Sequence, residues 1–185
     1  DPEVQLGGAL AASLWWQGRG AEAHVRSKQA LTRAEALKHP TSLLLALEHA
    51  ALLHGFGGDF EAAGLLSERA LALAAQRHLE REAGTSQWIC GRSLVARGQI
   101  DAGLARMREG KATQERQGLR YGLTRWYEWF AQACLAAGLP DDASRAVSDG
   151  LALAERSGEG LATSALHTLQ ARLRQGRDKP QLRDA

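Results

Sequence analysis

Glycine stands at positions 18, 58, 98 and 138, four times at a step of forty, and three further columns keep small residues at the same step. These are Ala11, Ala51, Gly91 and Ala131; Ala23, Ala63, Gly103 and Ala143; and Ala30, Ala70, Gly110 and Gly150. Ala and Gly together make up only 54 of the 185 residues, so four columns in register mark an internal repeat rather than a bias of composition. A fixed period of about 20–50 residues is the signature of stacked supersecondary units, each too small to bury its apolar face alone. A chain built this way is expected to exist as a surface.

Composition narrows the class. Apolar residues make up 44% of the chain but aromatic ones only 5%, which suits close helix packing better than a thick globular interior. The formal net charge is +2, from 23 basic and 21 acidic residues, and nucleic acid is therefore not an expected partner. Cys90 and Cys134 stand apart from each other and outside any Cys/His cluster, among apolar residues, as reduced core cysteines do. No apolar run approaches the roughly 18 residues of a membrane span, and no signal-peptide pattern opens the chain. Starting at Asp1-Pro2, the sequence reads as a piece of a longer cytoplasmic protein.

Each forty-residue unit carries two stretches of helical periodicity joined at the glycine. The first type covers about 4–17, 42–56, 82–97 and 121–137, and the second about 21–38, 60–78, 101–117 and 141–157. Apolar residues recur at steps of three and four, as at Leu6, Leu10 and Leu14 or Tyr127, Phe130 and Cys134, and strand alternation is absent. Gly58 and Gly98 fall where a helix must end with a positive φ, and acidic or Pro-containing restarts follow at Asp59-Phe60-Glu61 and Pro140-Asp141-Asp142. Thr41 or Ser42 is the expected N-cap of the second repeat. The small columns mark where helices approach closely. The expected organisation is a single domain over 1–175, with repeats at about 1–40, 41–80, 81–120 and 121–160 and a capping helix at 161–175. In that helix Ala171 keeps the small step from Ala131, and Gln170, Arg172, Arg174 and Gln175 form a polar outer side. Residues 176–185 are expected to form a flexible tail.

These residues resemble tetratricopeptide repeats. Gly58-Asp59-Phe60-Glu61-Ala62-Ala63 with Ala70-Leu71 is similar to that family's turn and second helix, and Gly98, Gly103, Gly110, Gly138, Ala143 and Gly150 match the same sites. The period of forty exceeds the family's 34, and only Trp126-Tyr127 supplies its bulky first-helix residue. The long period and the run from Gly98 to Gly158 resemble helical regions of large bacterial signalling ATPases, including MalT-like and LuxR-type regulators and ATPase-linked class III nucleotide cyclases. The resemblance implies an all-α, right-handed superhelical solenoid of antiparallel helix pairs. It also implies a non-catalytic module that binds a protein or peptide segment, or other domains of its own chain, in a groove lined by first helices. A small molecule closing the same groove is the alternative, and an oligomer is compatible with either.

Register then stacks rows across that groove: Glu48, Trp88, Glu128 and Thr168; Leu52, Arg92, Gln132 and Arg172; Leu45, Thr85, Arg125 and Ala165, with Trp129 four residues after Arg125. A rim of Trp, Arg and Glu has the composition of binding hot spots. The same tryptophans also suit plugs between repeats, with Arg92 neutralised by Glu48 or Glu128. Trp15-Trp16 closes the first helix and suits an interface or plain packing. Enzymatic, metal and cofactor chemistry find no pattern. His49 and His54 stand five apart, off the four-residue step of helical zinc ligands, and Gly55-Phe56-Gly57-Gly58 lacks the Lys-Ser/Thr of a phosphate loop. Asp141-Asp142 is explained by its place in a first turn, and the basic run around Arg106, Arg108 and Lys111 alternates with Glu109 and Glu115 as a solvated face does.

Overall fold

A computed structural model of the chain describes residues 1–80, 83–119 and 122–178, with side chains to residue 175. All its regular structure is helical. The elements are α1 (Pro2–Trp16), α2 (Gly20–Leu37), α3 (Pro40–Phe56), α4 (Phe60–Arg77), α5 (Gly84–Ala96), α6 (Ile100–Arg116), α7 (Leu123–Ala136), α8 (Pro140–Ser157) and α9 (Thr163–Asp178). They fall into two compact units, Asp1–Gly118 and Leu119–Ala185, so the first holds three antiparallel hairpins and the second holds one hairpin with α9. No described helix is long and apolar enough to cross a membrane. The expected tail begins later than the sequence suggests, because α9 continues through 176–178; positions 179–185 lie outside the described residues.

The glycine column is a chain of identical helix stops. Gly18, Gly58, Gly98 and Gly138 have φ between 70° and 81°, the left-handed region that a side chain makes costly. Their N–H groups donate to the carbonyls of Trp15, Gly55, Val95 and Leu135. The next residue donates in turn to Leu14, His54, Leu94 and Cys134 at 2.8–3.0 Å. This is the paired bonding of the Schellman motif, which satisfies the last carbonyls of each first helix. A second column at the same step ends the second helices: Lys38 (φ 53°), His78 (φ 57°), Gly118 (φ 72°) and Gly158 (φ 73°). Composition concealed it, since half of it is not glycine.

Helix starts are capped locally. Asp1 accepts from the N–H groups of Glu3 and Val4, and Asp59 accepts from that of Ala62. The cap of α3 is His39, whose Nδ1 accepts from the Ser42 N–H, rather than Thr41 or Ser42. Pro40 takes the first helical position, where its fixed φ fits and its missing N–H is not needed, and this draws Thr41 and Ser42 into the first turn.

The small columns lie at helix contacts. Ala11, Ala51 and Ala131 face buried Ala23, Ala63 and Ala143 across their hairpins, while the third hairpin substitutes glycine at both sites. There the backbones nearly touch. A Cβ on Gly91 would lie 2.6 Å from the Gly103 carbonyl oxygen, and one on Gly103 would lie 2.7 Å from that of Gly91. Gly84 and Gly110 repeat the arrangement at the other end of the same helix pair.

Candidate partner-binding surface

In the first unit α1 packs on α3 and α3 on α5, whereas α2, α4 and α6 make no contact with one another. First helices therefore form an inner layer. In the second unit α7 and α9 are paired in the same way.

What the inner layer presents depends on position along each helix. On α3 the half-buried positions are Leu45, His49, Leu52 and Phe56, a stripe at steps of three and four. Trp16 extends it from α1: its ring lies 5.0 Å from that of Phe56, and it remains 47% exposed. Arg92 of α5 is half-buried with its guanidinium 3.9 Å from the centre of the Phe60 ring, a cation–π contact. Burial pulls its pKa down, its Nε has no hydrogen-bond partner, and it meets no carboxylate among the described residues. A desolvated cation over an aromatic ring, beside an apolar stripe, is arranged to receive an anion carried by an apolar partner.

Below the stripe the side chains serve the fold. Glu48 is 7% exposed and accepts from the N–H and the hydroxyl of Ser86 at 3.1 and 2.9 Å, and burial pushes its carboxyl up to about 7. Trp88 is 1% exposed; its indole N–H donates to Gln114 at 3.0 Å, and the Gln114 amide donates to Thr85. In the second unit Arg125 and Glu128 form a buried ion pair, Arg125 also donates to the Leu161 carbonyl at 2.6 Å, and Gln132 donates to Glu128. Burial holds the Arg125 pKa down and the Glu128 pKa up, with the pair's attraction acting against both shifts. Trp129 is buried as well.

Of the nine residues placed on the groove from sequence, five are thus buried: Glu48, Trp88, Arg125, Glu128 and Trp129. Leu52, Arg92 and Gln132 are half-buried and Arg172 is exposed on α9. The expected accessibility is corrected at the five for a geometric reason. One residue turns a helix by about 100°, so the row through Glu48, Trp88 and Glu128 lies inward of the row through Leu52 and Arg92. The residues overlooked were Trp16, Phe56 and Phe60. A signal for the first two was present, since Trp16 and Phe56 stand forty apart in the same register. Beside them, the rings of His24 and His54 lie 5.0 Å apart, and His54 Nδ1 lies 3.2 Å from an Asp59 carboxylate oxygen. Among the described residues no group of three or more His, Cys, Asp or Glu is placed to hold a metal ion.

No protein-family model matches the sequence, and no curated protein matches it. Solved structures do. The fold is similar to that of the nearly identical TPR-like repeats of a putative kinesin light chain from Podosopora anserina, with a TM-score of 0.62 and 20% identity. That match covers 98% of this chain and 90% of the other. It is also similar to aspartyl phosphate phosphatase F from Bacillus subtilis, with a TM-score of 0.65 and 16% identity over 96% of this chain and 46% of that one. At these identities the likeness establishes the architecture, a TPR-like array of helix pairs.

Proposed function

We propose that the chain is a non-catalytic protein-interaction module in which the inner face of the first unit binds an apolar peptide segment carrying a carboxylate. Trp16, Leu45, Leu52 and Phe56 take the apolar side chains, and Arg92 over Phe60 takes the acid. The observation that carries the reading is the half-buried Arg92 guanidinium, which meets no carboxylate among the described residues and lies against an aromatic ring next to a half-exposed apolar stripe. A TPR-like architecture supports it, because such inner faces are continuous and rigid enough to seat an extended or helical segment. The setting we propose is the regulatory part of a larger cytoplasmic bacterial signalling or transcription-regulating ATPase, on the strength of the forty-residue period and the run from Gly98 to Gly158.

The test is a selection of random twelve-residue peptides on the immobilised chain, followed by titration against variants. Selected binders should pair an Asp or Glu with large apolar residues. Their affinity should fall about tenfold or more, roughly 1.4 kcal/mol, on Arg92→Ala or Leu52→Ala. Binders that carry no acid, or that bind both variants as well as the parent, would remove this reading.

A further inference from the structure

The outward side of α1 is unlike the same side of the helices that follow it. Leu6 and Leu10 are 68% and 45% exposed. Forty residues on, Ala46 and Ala50 are buried, Ala46 among Val4 and Ala34 of the preceding hairpin, and another forty on so are Ser86 and Cys90. In the first unit this position therefore backs onto a neighbouring helix pair wherever one is present. What it backs onto sets its size. Close stacking of one hairpin on the next requires Ala, Ser or Cys there, whereas α1 carries two leucines, the side chains that interlock when one helix lies along another.

The seam itself reads Glu3, Leu6, Leu10, Ser13 and Gln17, at alternating steps of three and four, and α1 bears no charged residue after Glu3. A neutral, apolar seam is complementary to itself, which a two-fold interface requires. It is not complementary to the outer side of α9, where Arg172, Arg174 and Gln175 are exposed, so head-to-tail stacking of copies is disfavoured. We infer that α1 is a dimerisation helix, and that its outward face is covered by α1 of a second copy of this chain, packed antiparallel so that each Leu6 meets the other's Leu10. This surface is separate from the inner face assigned to peptide binding, and the two proposals stand or fall independently.

Two short helices bury less than a standard interface, so the association should be reversible and in the micromolar range. Sedimentation velocity of the intact chain between about 5 and 200 µM should show a monomer–dimer equilibrium. The double variant Leu6→Glu, Leu10→Glu should be monomeric across that range with an unchanged helical spectrum, because both positions are exposed in the monomer. Leu65→Glu, a control at an exposed leucine of α4, should dimerise as the parent does. Should the double variant lose helix, the milder Leu6→Gln replaces it and should weaken dimerisation at least several-fold. A parent that stays monomeric at every concentration would overturn the proposal and leave the face to a different partner. A dimer indifferent to the seam variants, or weakened equally by Leu65→Glu, would overturn it too.

Discussion

Glu48 joins two hairpins through the Ser86 N–H and hydroxyl, and its burial makes that joint sensitive to pH. In the folded chain its carboxyl keeps its proton up to about 7, whereas the unperturbed value is 4.5, so between those values the folded state binds the extra proton. Stability must then fall as pH rises through that window, and above it the full cost of an ionised buried carboxylate is present. Glu48→Gln removes the titration while keeping an acceptor for Ser86. Relative to the parent, the variant should gain roughly 2–3 kcal/mol between pH 5 and pH 8 in urea unfolding. A difference that does not change with pH would mean that Glu48 is not titrating in the folded state. Lys38 and His78 carry a different local cost, since both hold the left-handed conformation that their counterparts Gly118 and Gly158 adopt freely. Lys38→Gly and His78→Gly should each stabilise the fold by about 0.5–1 kcal/mol by thermal or chemical unfolding, against the usual penalty for adding a glycine. Destabilisation by both would show that side-chain contacts of Lys38 and His78 outweigh the backbone strain.

At the level of the helix pair, the third hairpin is the most exacting. Gly91 and Gly103 oppose each other backbone to backbone, so a methyl on either must displace a carbonyl or Met107, neither of which can swing aside as a flexible side-chain tip would. Gly91→Ala should cost about 2–3 kcal/mol. The equivalent residues Ala51 and Ala131 already carry that methyl, in hairpins spaced to receive it. Gly160→Ala is the control, because an added Cβ there meets nothing within 4 Å, and it should stay within about 0.5 kcal/mol of the parent. Equal effects would show that the third hairpin relaxes freely. Such helix contacts were readable from sequence because sterics leave only Gly or Ala at a close approach, so residue type alone reports the geometry. The helix stops were readable for the same reason wherever glycine serves them. Lys38 and His78 escaped because any residue can be held in a left-handed turn if the surrounding bonds insist.

Across the molecule, the fold was more legible than the surface. Register placed Glu48, Trp88 and Glu128 in one row, which was right as alignment, but which side of the helix that row occupies depends on partners far away in sequence. Trp88 is turned inward by Gln114, 26 residues later, and Glu48 by Ser86, 38 residues later. Nothing local encodes such pairings. The repeat design also governs how stability is distributed, because each hairpin contacts only its neighbours and contributions add along the array. In the first unit α3 packs against α1, α2, α4 and α5, whereas α1 has partners on one side only, α2 and α3. Opening α1 therefore breaks fewer contacts than opening α3, and the inner helix cannot open without freeing its neighbours. Native-state hydrogen exchange at low micromolar concentration should accordingly give the central amides of α3 an opening free energy about 1–2 kcal/mol above those of α1. Protection of α1 equal to that of α3 at that dilution would mean that the first unit opens all at once, as a single cooperative body rather than as a stack.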